Sequence, residues 1–294
     1  MSGFEELGEY IDESPGFINV VGVPRSISTA FCRALNESST PSIFVNEPFN
    51  RENADLDTAA ESILAVLEQV QEPHLVIVKN MASYLSAGDF TALNEIATHT
   101  IFTIRNPLVQ IGSLLTRLVN DSEIFPGSSQ LQQDDIYPYL DRVVEILVDS
   151  PRSKDFSKTG WKAMLEHFSL KGEAPTTVID GDVFTRNPEL ILRMVCQRVV
   201  LEYSPAMISG WGSDFLNVIN IGKPDETLQS AWTCDVASSS GVSSNARGEL
   251  DVSRLPSELA RHISGLALPA YLQLVEESHP GQETARGHRA PQYH

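Results

Sequence analysis

The chain has 294 residues, of which 41% are hydrophobic and 20% charged, so it can form one large domain or two small ones and is not expected to be disordered. Its 39 acidic and 21 basic residues give a formal net charge of −18, which argues against nucleic acid and anionic membranes as partners. No apolar run reaches the roughly 18–20 residues of a membrane span, and the acidic start of the chain is unlike a signal peptide, so we expect a cytoplasmic protein.

Short apolar runs alternate with segments of helical periodicity along the first two thirds of the chain. The first run, Phe17 to Val23, is rich in β-branched residues and predicts a buried strand. Further strands are predicted at 42–45, 74–79, 99–105 and 175–180, and helices at 30–35, 55–71, 89–98, 108–119 and 187–201. This alternation predicts an α/β fold with a central parallel sheet flanked by helices.

The other segments are predicted to be irregular or to extend this core. Residues 1–16 form a loose leader in this interpretation and residues 121–133 form a loop. Two helices at 137–149 and 155–171 form a helical insertion, the polar stretch 223–250 is a mobile loop, and a last helix covers 255–277. We expect a single domain over residues 1–277 and a polar, disordered tail over residues 278–294.

A polar loop, Pro24-Arg25-Ser26-Ile27-Ser28-Thr29, joins the first predicted strand to a helix. A strand, a loop and a helix in this order aim backbone N–H groups and a helix N-terminus at an anion. Arg25 adds a permanent charge, and the Ser and Thr hydroxyls add donors. The pattern G-x-x-x-x-G-K-[ST] is absent, which argues against a site for a magnesium–nucleoside triphosphate. The alternative is an ordinary turn in which Ser and Thr cap the helix.

Polar residues also stand at the ends of the next three predicted strands, where ligands bind in parallel sheets. The second strand is followed by Glu47, the third ends at Lys79, and the fourth ends at Arg105, with Ser113 eight residues further on. An Arg fork and a hydroxyl from adjacent elements can grip one phosphate. The alternative for Arg105 and Ser113 is a capped turn with an exposed Ser. The alternative for Lys79 is a side chain that only extends from the strand end into solvent.

The loop from Pro24 to Thr29, together with Glu47-Pro48-Phe49, resembles the 5′-phosphosulfate loop of sulfotransferases, in the branch that reads Pro-Arg-Ser-x-Ser-Thr. Arg105 with Ser113 resembles the motif that binds the 3′-phosphate of 3′-phosphoadenosine-5′-phosphosulfate. The resemblance covers about residues 17–212 and implies a three-layer, P-loop-like α/β fold. The residues that it implies in cofactor binding are Pro24, Arg25, Ser26, Ile27, Ser28, Thr29, Arg105 and Ser113.

The resemblance also implies the catalytic residues. Lys79 stands where sulfotransferases commonly carry a Lys, which would stabilise the charge that grows on the bridging oxygen as sulfur leaves. Many members carry a His shortly after this Lys, but here residues 80–83 read Asn-Met-Ala-Ser. Glu47 therefore becomes the candidate base, as in related branches, and the alternative is a Glu that pairs with Arg25 and only orients it. Because Ile27 stands where many relatives carry Gly, we expect the loop to avoid a positive φ there.

The sequence thus predicts a sulfotransferase that moves the sulfuryl group of 3′-phosphoadenosine-5′-phosphosulfate to a hydroxyl or amine of a small-molecule acceptor, without a metal ion. Asp180 and Asp182 are interpreted as a turn or cap at a strand end. Segments 121–171 and 223–250 are expected to shape the acceptor pocket. The alternatives are a nucleotide-dependent kinase or ATPase, and a non-catalytic nucleotide-binding protein of the same fold. Neither the acceptor nor the oligomeric state follows from the sequence.

Overall fold

The computed structural model describes residues 2–50, 55–68, 74–121, 124–125, 131–147, 156–199, 201–211, 218–220, 239–243 and 248–278. The strands within these residues are β1 (Phe17–Gly22), β2 (Ser42–Asn46), β3 (Leu75–Met81), β4 (His99–Ile104), β5 (Thr176–Asp180) and β6 (Val218–Asn220). They form one sheet in the order β5–β4–β1–β3–β2–β6, and every neighbouring pair is parallel. The predicted α/β fold with a central parallel sheet is confirmed.

Helices connect these strands and cover the sheet. They are α1 (Gly3–Glu13), α2 (Ser28–Asn36), α3 (Leu56–Leu67), α4 (Ala87–Ile96), α5 (Pro107–Val119), α6 (Leu140–Leu147), α7 (Trp161–Leu170), α8 (Gly181–Arg186), α9 (Pro188–Val199), α10 (Ser257–His262) and α11 (Leu268–Ser278). A π-helical turn, Ile263–Ala267, joins α10 to α11. Within the described ranges, no helix combines the length and the apolar character needed to span a membrane.

The described helices and strands differ from the predicted ones in several places. Residues 1–16 were expected to form a loose leader, but α1 lies there, with a capping box of Ser2 and Glu5 at its start and with Leu7 and Ile11 buried. The predicted final helix is interrupted by the π-helical turn, and β6 was not predicted. The tail after residue 278 and most of the segment 223–250 lie outside the described residues, and the single domain over 1–277 stays a prediction.

Side chains of β1 alternate between two buried layers, one on each face of the sheet. Phe17 and Val21 pack in the layer that contains α1 and α3 to α7, whereas Ile18 and Val20 pack in the layer that contains α2 and α9. All six residues of β1 are buried, as expected for a parallel strand with helices on both sides. The continuous apolar run that predicted this strand is therefore a consequence of burial on both faces.

The strand order predicts a crevice between the carboxyl ends of β1 and β4. After β1 the chain passes β3 and forms β2, so it moves toward one end of the strand order. After β4 it forms β5, which is the last strand at the opposite end of that order. The helix after β1 lies on one face, and α5, which follows β4, lies on the other. Ligands of open α/β sheets bind at such a point, where the direction of winding reverses. The loop of residues 23–27 and the residues after β4 both lie at this crevice.

His99 is the first residue of β4 and lies at the amino ends of the strands, away from this crevice. Its ionisation provides a test of the fold. Its Nε2 is 2.8 Å from Thr177 Oγ1, and burial, with a smaller effect of Arg198, lowers its pKa to about 4. Because the pKa of an unfolded His is about 6.5, the stability that depends on a neutral His99 is complete above pH 6.5. It is lost as the pH falls from about 6.5 to about 4. We expect His99→Gln to reduce this loss, measured as the free energy of unfolding in urea between pH 4 and 7. Equal pH dependence in both proteins would contradict the prediction.

Candidate active site

The anion loop, residues 23–27, leads from β1 into the N-terminus of α2. The N-cap residue of α2 is Ile27, which makes no side-chain hydrogen bond to the first helical turn. The alternative of a turn capped by a Ser or Thr side chain is therefore not the arrangement found at this N-cap. The first N–H groups of a helix lack partners within the helix. With an apolar N-cap residue, the start of α2 is suited to receive an anion.

Three residues other than glycine have a positive φ in the described part of the chain, and all three lie at predicted site positions. They are Arg25 at 65°, Ile27 at 72° and Glu47 at 53°. The expectation that Ile27 would avoid a positive φ was wrong. Each such conformation costs on the order of 1–3 kcal/mol and persists only where the surrounding contacts enforce it. For β-branched Ile27 the conformation is a clear exception, and the strain therefore marks these loops as a candidate functional site.

Contacts within the loop explain why Ile27 is held in this conformation. The N–H of Ser26 donates to the Val23 carbonyl at 3.2 Å, and the N–H of Phe31 donates to the Ile27 carbonyl at 3.0 Å. The Ser26 hydroxyl lies 3.1 Å from the Thr103 hydroxyl on β4 and is buried. The turn fixes the chain before Ile27, and the first hydrogen bond of α2 fixes the chain after it. The backbone changes direction between these two segments, and the positive φ of Ile27 makes this change.

The two predicted anion motifs meet in the structure. Arg25 Nε donates to Ser113 Oγ at 3.1 Å, which joins the anion loop to α5 across 88 positions of sequence. Arg25 is half-buried and Ser113 is buried. The loop after β1 and the helix after β4 therefore form one site at the crevice.

Arg105 lies at the end of β4 and is held by a carboxylate from the neighbouring strand end. Its Nε donates to Asp182 Oδ1 at 2.8 Å, and the arginine is 5% exposed. Asp182 lies in the first turn of α8, which is capped by Asp180 through the N–H of Asp182 at 2.8 Å. The predicted cap role of Asp180 is confirmed. Burial raises the pKa of Asp180, and Tyr271 donates a hydrogen bond of 2.6 Å to its other oxygen.

Lys79 and Glu47, the two predicted catalytic residues, form an ion pair. Lys79 is fully buried, and the Glu47 side chain is 13% exposed. Asn50 Nδ2 donates to the second carboxylate oxygen of Glu47 at 3.0 Å. A buried ammonium requires a countercharge, so Glu47 stabilises Lys79 rather than serving only as a partner of Arg25. The pair lies at the ends of β2 and β3, whose register places Asn46 beside Lys79.

Some residues of the site were not predicted from the sequence. Asp182 and Asn50 orient Arg105 and Glu47, and Thr103 contacts Ser26. Asn50 follows Glu47 by three positions, a spacing typical of a turn, and that spacing was the available signal. Cys32 is also buried, and burial raises the pKa of its thiol well above the usual range, which disfavours the reactive thiolate. In the described ranges, no group of three or more His, Cys, Asp or Glu side chains could hold a metal ion.

Comparison with solved structures finds proteins of similar fold. A sulfotransferase from Alicyclobacillus acidocaldarius matches 65% of this chain and 87% of its own length, at 12% identity and a TM-score of 0.44. A sulfotransferase domain from the curacin biosynthetic pathway matches 85% of this chain and 97% of its own, at 14% identity and a TM-score of 0.44. A sulfotransferase domain from the Synechococcus PCC 7002 olefin synthase matches 86% and 96%, at 13% identity and a TM-score of 0.41.

No protein-family model and no curated protein matches the chain. At these identities the likeness concerns the α/β fold.

Proposed function

We propose that the protein is a sulfotransferase that transfers the sulfuryl group of 3′-phosphoadenosine-5′-phosphosulfate to a hydroxyl or amine of a small molecule. The observation that supports this most directly is the hydrogen bond of 3.1 Å between Arg25 and Ser113. It brings together two motifs that were each interpreted as phosphate sites and that are far apart in sequence. One ligand with phosphates at two positions is the simplest explanation of such a pair.

The anion loop is suited to the 5′-phosphosulfate. The N-terminus of α2, without a polar N-cap side chain, would present backbone N–H groups to the ligand. Arg25 adds a positive charge, and the Ser28 and Thr29 hydroxyls stand in the first turn of the helix. Pro24, Ser26 and Ile27 contribute the backbone between them. The protein has a net charge of −18, so a doubly charged anion must be bound by such local donors.

Arg105 and Ser113 are proposed to bind the 3′-phosphate. The ion pair with Asp182 uses Nε of Arg105 and fixes the plane of the guanidinium group. A phosphate would then be met by the Nη groups at the other end of the fork. Ser113 lies on α5, next to Arg25, and would donate from the other side. The site thus supplies one arginine to each of the two phosphorylated positions.

Lys79 and Glu47 are proposed to carry the chemistry. The bound nucleotide supplies the sulfuryl group, and the sulfur–oxygen bond to its 5′-phosphate breaks as the acceptor oxygen or nitrogen bonds to sulfur. Lys79 donates a hydrogen bond to the oxygen that gains charge, which stabilises the transition state more than the ground state. Glu47 takes the proton from the acceptor. In the structure the two residues pair with each other, and during transfer each would turn to the reacting groups.

The nucleotide preference tests this proposal. Adenosine 3′,5′-bisphosphate should raise the melting temperature more than AMP or ATP does, because Arg105 and Ser113 add contacts to the 3′-phosphate. A ligand present at 100 times its Kd adds about 2.7 kcal/mol of stability, so differences in affinity are measurable by thermal shift. Arg105→Ala should abolish the preference.

Arg193→Ala is the matched control, since Arg193 also pairs with a carboxylate, that of Glu189, but on an exposed helix surface. It should leave the nucleotide preference unchanged. Equal stabilisation by AMP would contradict the assignment of the 3′-phosphate site. Greater stabilisation by ATP with Mg²⁺ would favour the kinase alternative.

A further inference from the structure

Gln110 connects the anion loop to the helical insertion. It lies on α5, three positions before Ser113, and it is fully buried. Its Nε2 donates to the Pro24 carbonyl at 2.6 Å, and its Oε1 accepts from Trp161 Nε1 at 3.0 Å. Helix α5 therefore contacts the loop at two successive residues, at Pro24 through Gln110 and at Arg25 through Ser113.

Trp161 fixes the direction in which the Gln110 amide points. An indole N–H can only donate, so the amide oxygen of Gln110 must face Trp161. The amide NH₂ then has to face Pro24, whose carbonyl can only accept. Both partners thus require the same orientation of the amide. The fully buried Trp161 therefore fixes the direction of the hydrogen bond from Gln110 to the Pro24 carbonyl.

The Pro24–Arg25 peptide is the unit that this bond holds. Described peptide bonds are all trans, so the N–H of Arg25 points opposite to the Pro24 carbonyl. With the carbonyl bound to Gln110, the N–H of Arg25 faces away from α5. In the turn closed by the Ser26 N–H and the Val23 carbonyl, this peptide orientation goes with the positive φ of Arg25, 65°. Rotation of the peptide would relieve the strain and would turn the carbonyl toward the side that the N–H now occupies.

Gly160 allows the helical insertion to approach the ring of the same proline. A Cβ atom at this position would lie 2.9 Å from Pro24 Cδ, closer than such atoms approach, and φ of Gly160 is 80°. The N-terminus of α7 therefore packs directly against the proline of the loop. Pro24 is held by Gln110 at its carbonyl and by Gly160 at its ring.

We propose that Gln110 is a positioning residue that holds the Pro24–Arg25 peptide in the strained orientation required for binding the 5′-phosphate. This inference rests on the proposed sulfotransferase function for the identity of the ligand. It does not rest on it for the conformation of the loop. Gln110 touches neither nucleotide nor acceptor in this assignment, and it acts through the peptide that it orients.

Two measurements on Gln110→Met test the inference. In a crystal structure of the unliganded variant, φ of Arg25 should leave the left-handed region. In calorimetric titrations, the ratio of the Kd of adenosine 3′-phosphate to the Kd of adenosine 3′,5′-bisphosphate reports the contribution of the 5′-phosphate. That ratio should fall about tenfold, the expected size for loss of a buried hydrogen bond.

Thr116→Val is the control, because it removes a side-chain hydrogen bond to Gly112 on the same helix without a bond to the loop. It should change neither the φ of Arg25 nor the ratio. If Gln110→Met does not fold, Gln110→Leu serves instead, since it has a similar size and removes the donor toward Pro24. An unchanged Pro24–Arg25 peptide in the folded variant would overturn the inference. If the peptide reorients but the wild-type protein binds neither nucleotide, the proposed function is wrong and the positioning role stands.

Discussion

Glu47→Gln should lower kcat by about 10²–10⁴ for an alcohol acceptor, the range expected for loss of a general base. The reduction should be smaller for an acidic phenol, which gives up its proton more easily. Glu47 is held by Lys79 and Asn50, so its carboxylate lies next to the lysine that is proposed to bind the leaving oxygen. The measurement is kcat with the two acceptors at saturating nucleotide.

The comparison of the two acceptors distinguishes loss of the general base from loss of folded protein in Glu47→Gln. Glu47→Gln leaves buried Lys79 without its countercharge, and breaking a buried ion pair costs roughly 3–5 kcal/mol. That cost lowers the folded fraction equally for both acceptors. Asn50→Ala is the control, since it removes a partner of Glu47 and keeps the carboxylate. An equal loss on both acceptors, together with weaker nucleotide binding, would remove Glu47 from the catalytic residues.

Lys79→Met should lower kcat by about 10²–10³, because the transition state loses an electrostatic donor. The Kd of adenosine 3′,5′-bisphosphate should change little, since the donors of the anion loop and Arg105 remain. Single-turnover transfer rates and calorimetric Kd values measure the two effects. A large loss of affinity with unchanged kcat would assign Lys79 to ground-state binding.

A double variant shows whether the ion pair is needed for more than folding. Replacement of both members by neutral residues removes both buried charges, and such replacements are often neutral for stability. Lys79→Met combined with Glu47→Gln should therefore unfold at a higher temperature than either single variant. It should stay as inactive as the worse of them. Recovery of activity along with stability would show that the pair is structural and would remove both residues from the proposed catalytic roles.

The sheet could be predicted from the sequence because its signals are local. Strands β1 to β5 are short apolar runs that are buried by helices on both faces, and this pattern does not depend on distant residues. The start of α5 is also marked locally, by Asn106 at the N-cap and Pro107 at the first helical position. Strand β6 has three residues and pairs with β2 at the edge of the described sheet, so its sequence carries too little pattern to be found.

The contacts that organise the site could not be predicted, because each depends on residues brought together by the fold. Arg105 and Asp182 are 77 positions apart, and Arg25 and Ser113 are 88 apart. The positive φ of Ile27 was predicted wrongly because propensity describes an isolated residue. The surrounding turn, the bond to Thr103 and the first helical bond of α2 outweigh that propensity here.

The hydrogen bond from Tyr271 to Asp180 affects the choice of the end at which the protein is attached to a surface or labelled. Tyr271 belongs to α11, Asp180 caps α8, and Asp182 of α8 holds Arg105, so α11 is linked to the nucleotide end of the sheet by polar contacts. Helix α1 instead packs against α3, where Phe4 N–H donates to Asp57 at 3.1 Å, and it precedes the amino end of β1. A surface attachment or fluorescent label is therefore better placed before α1. An attachment after α11 would apply force to the helix that is linked to Arg105 through Asp180 and Asp182.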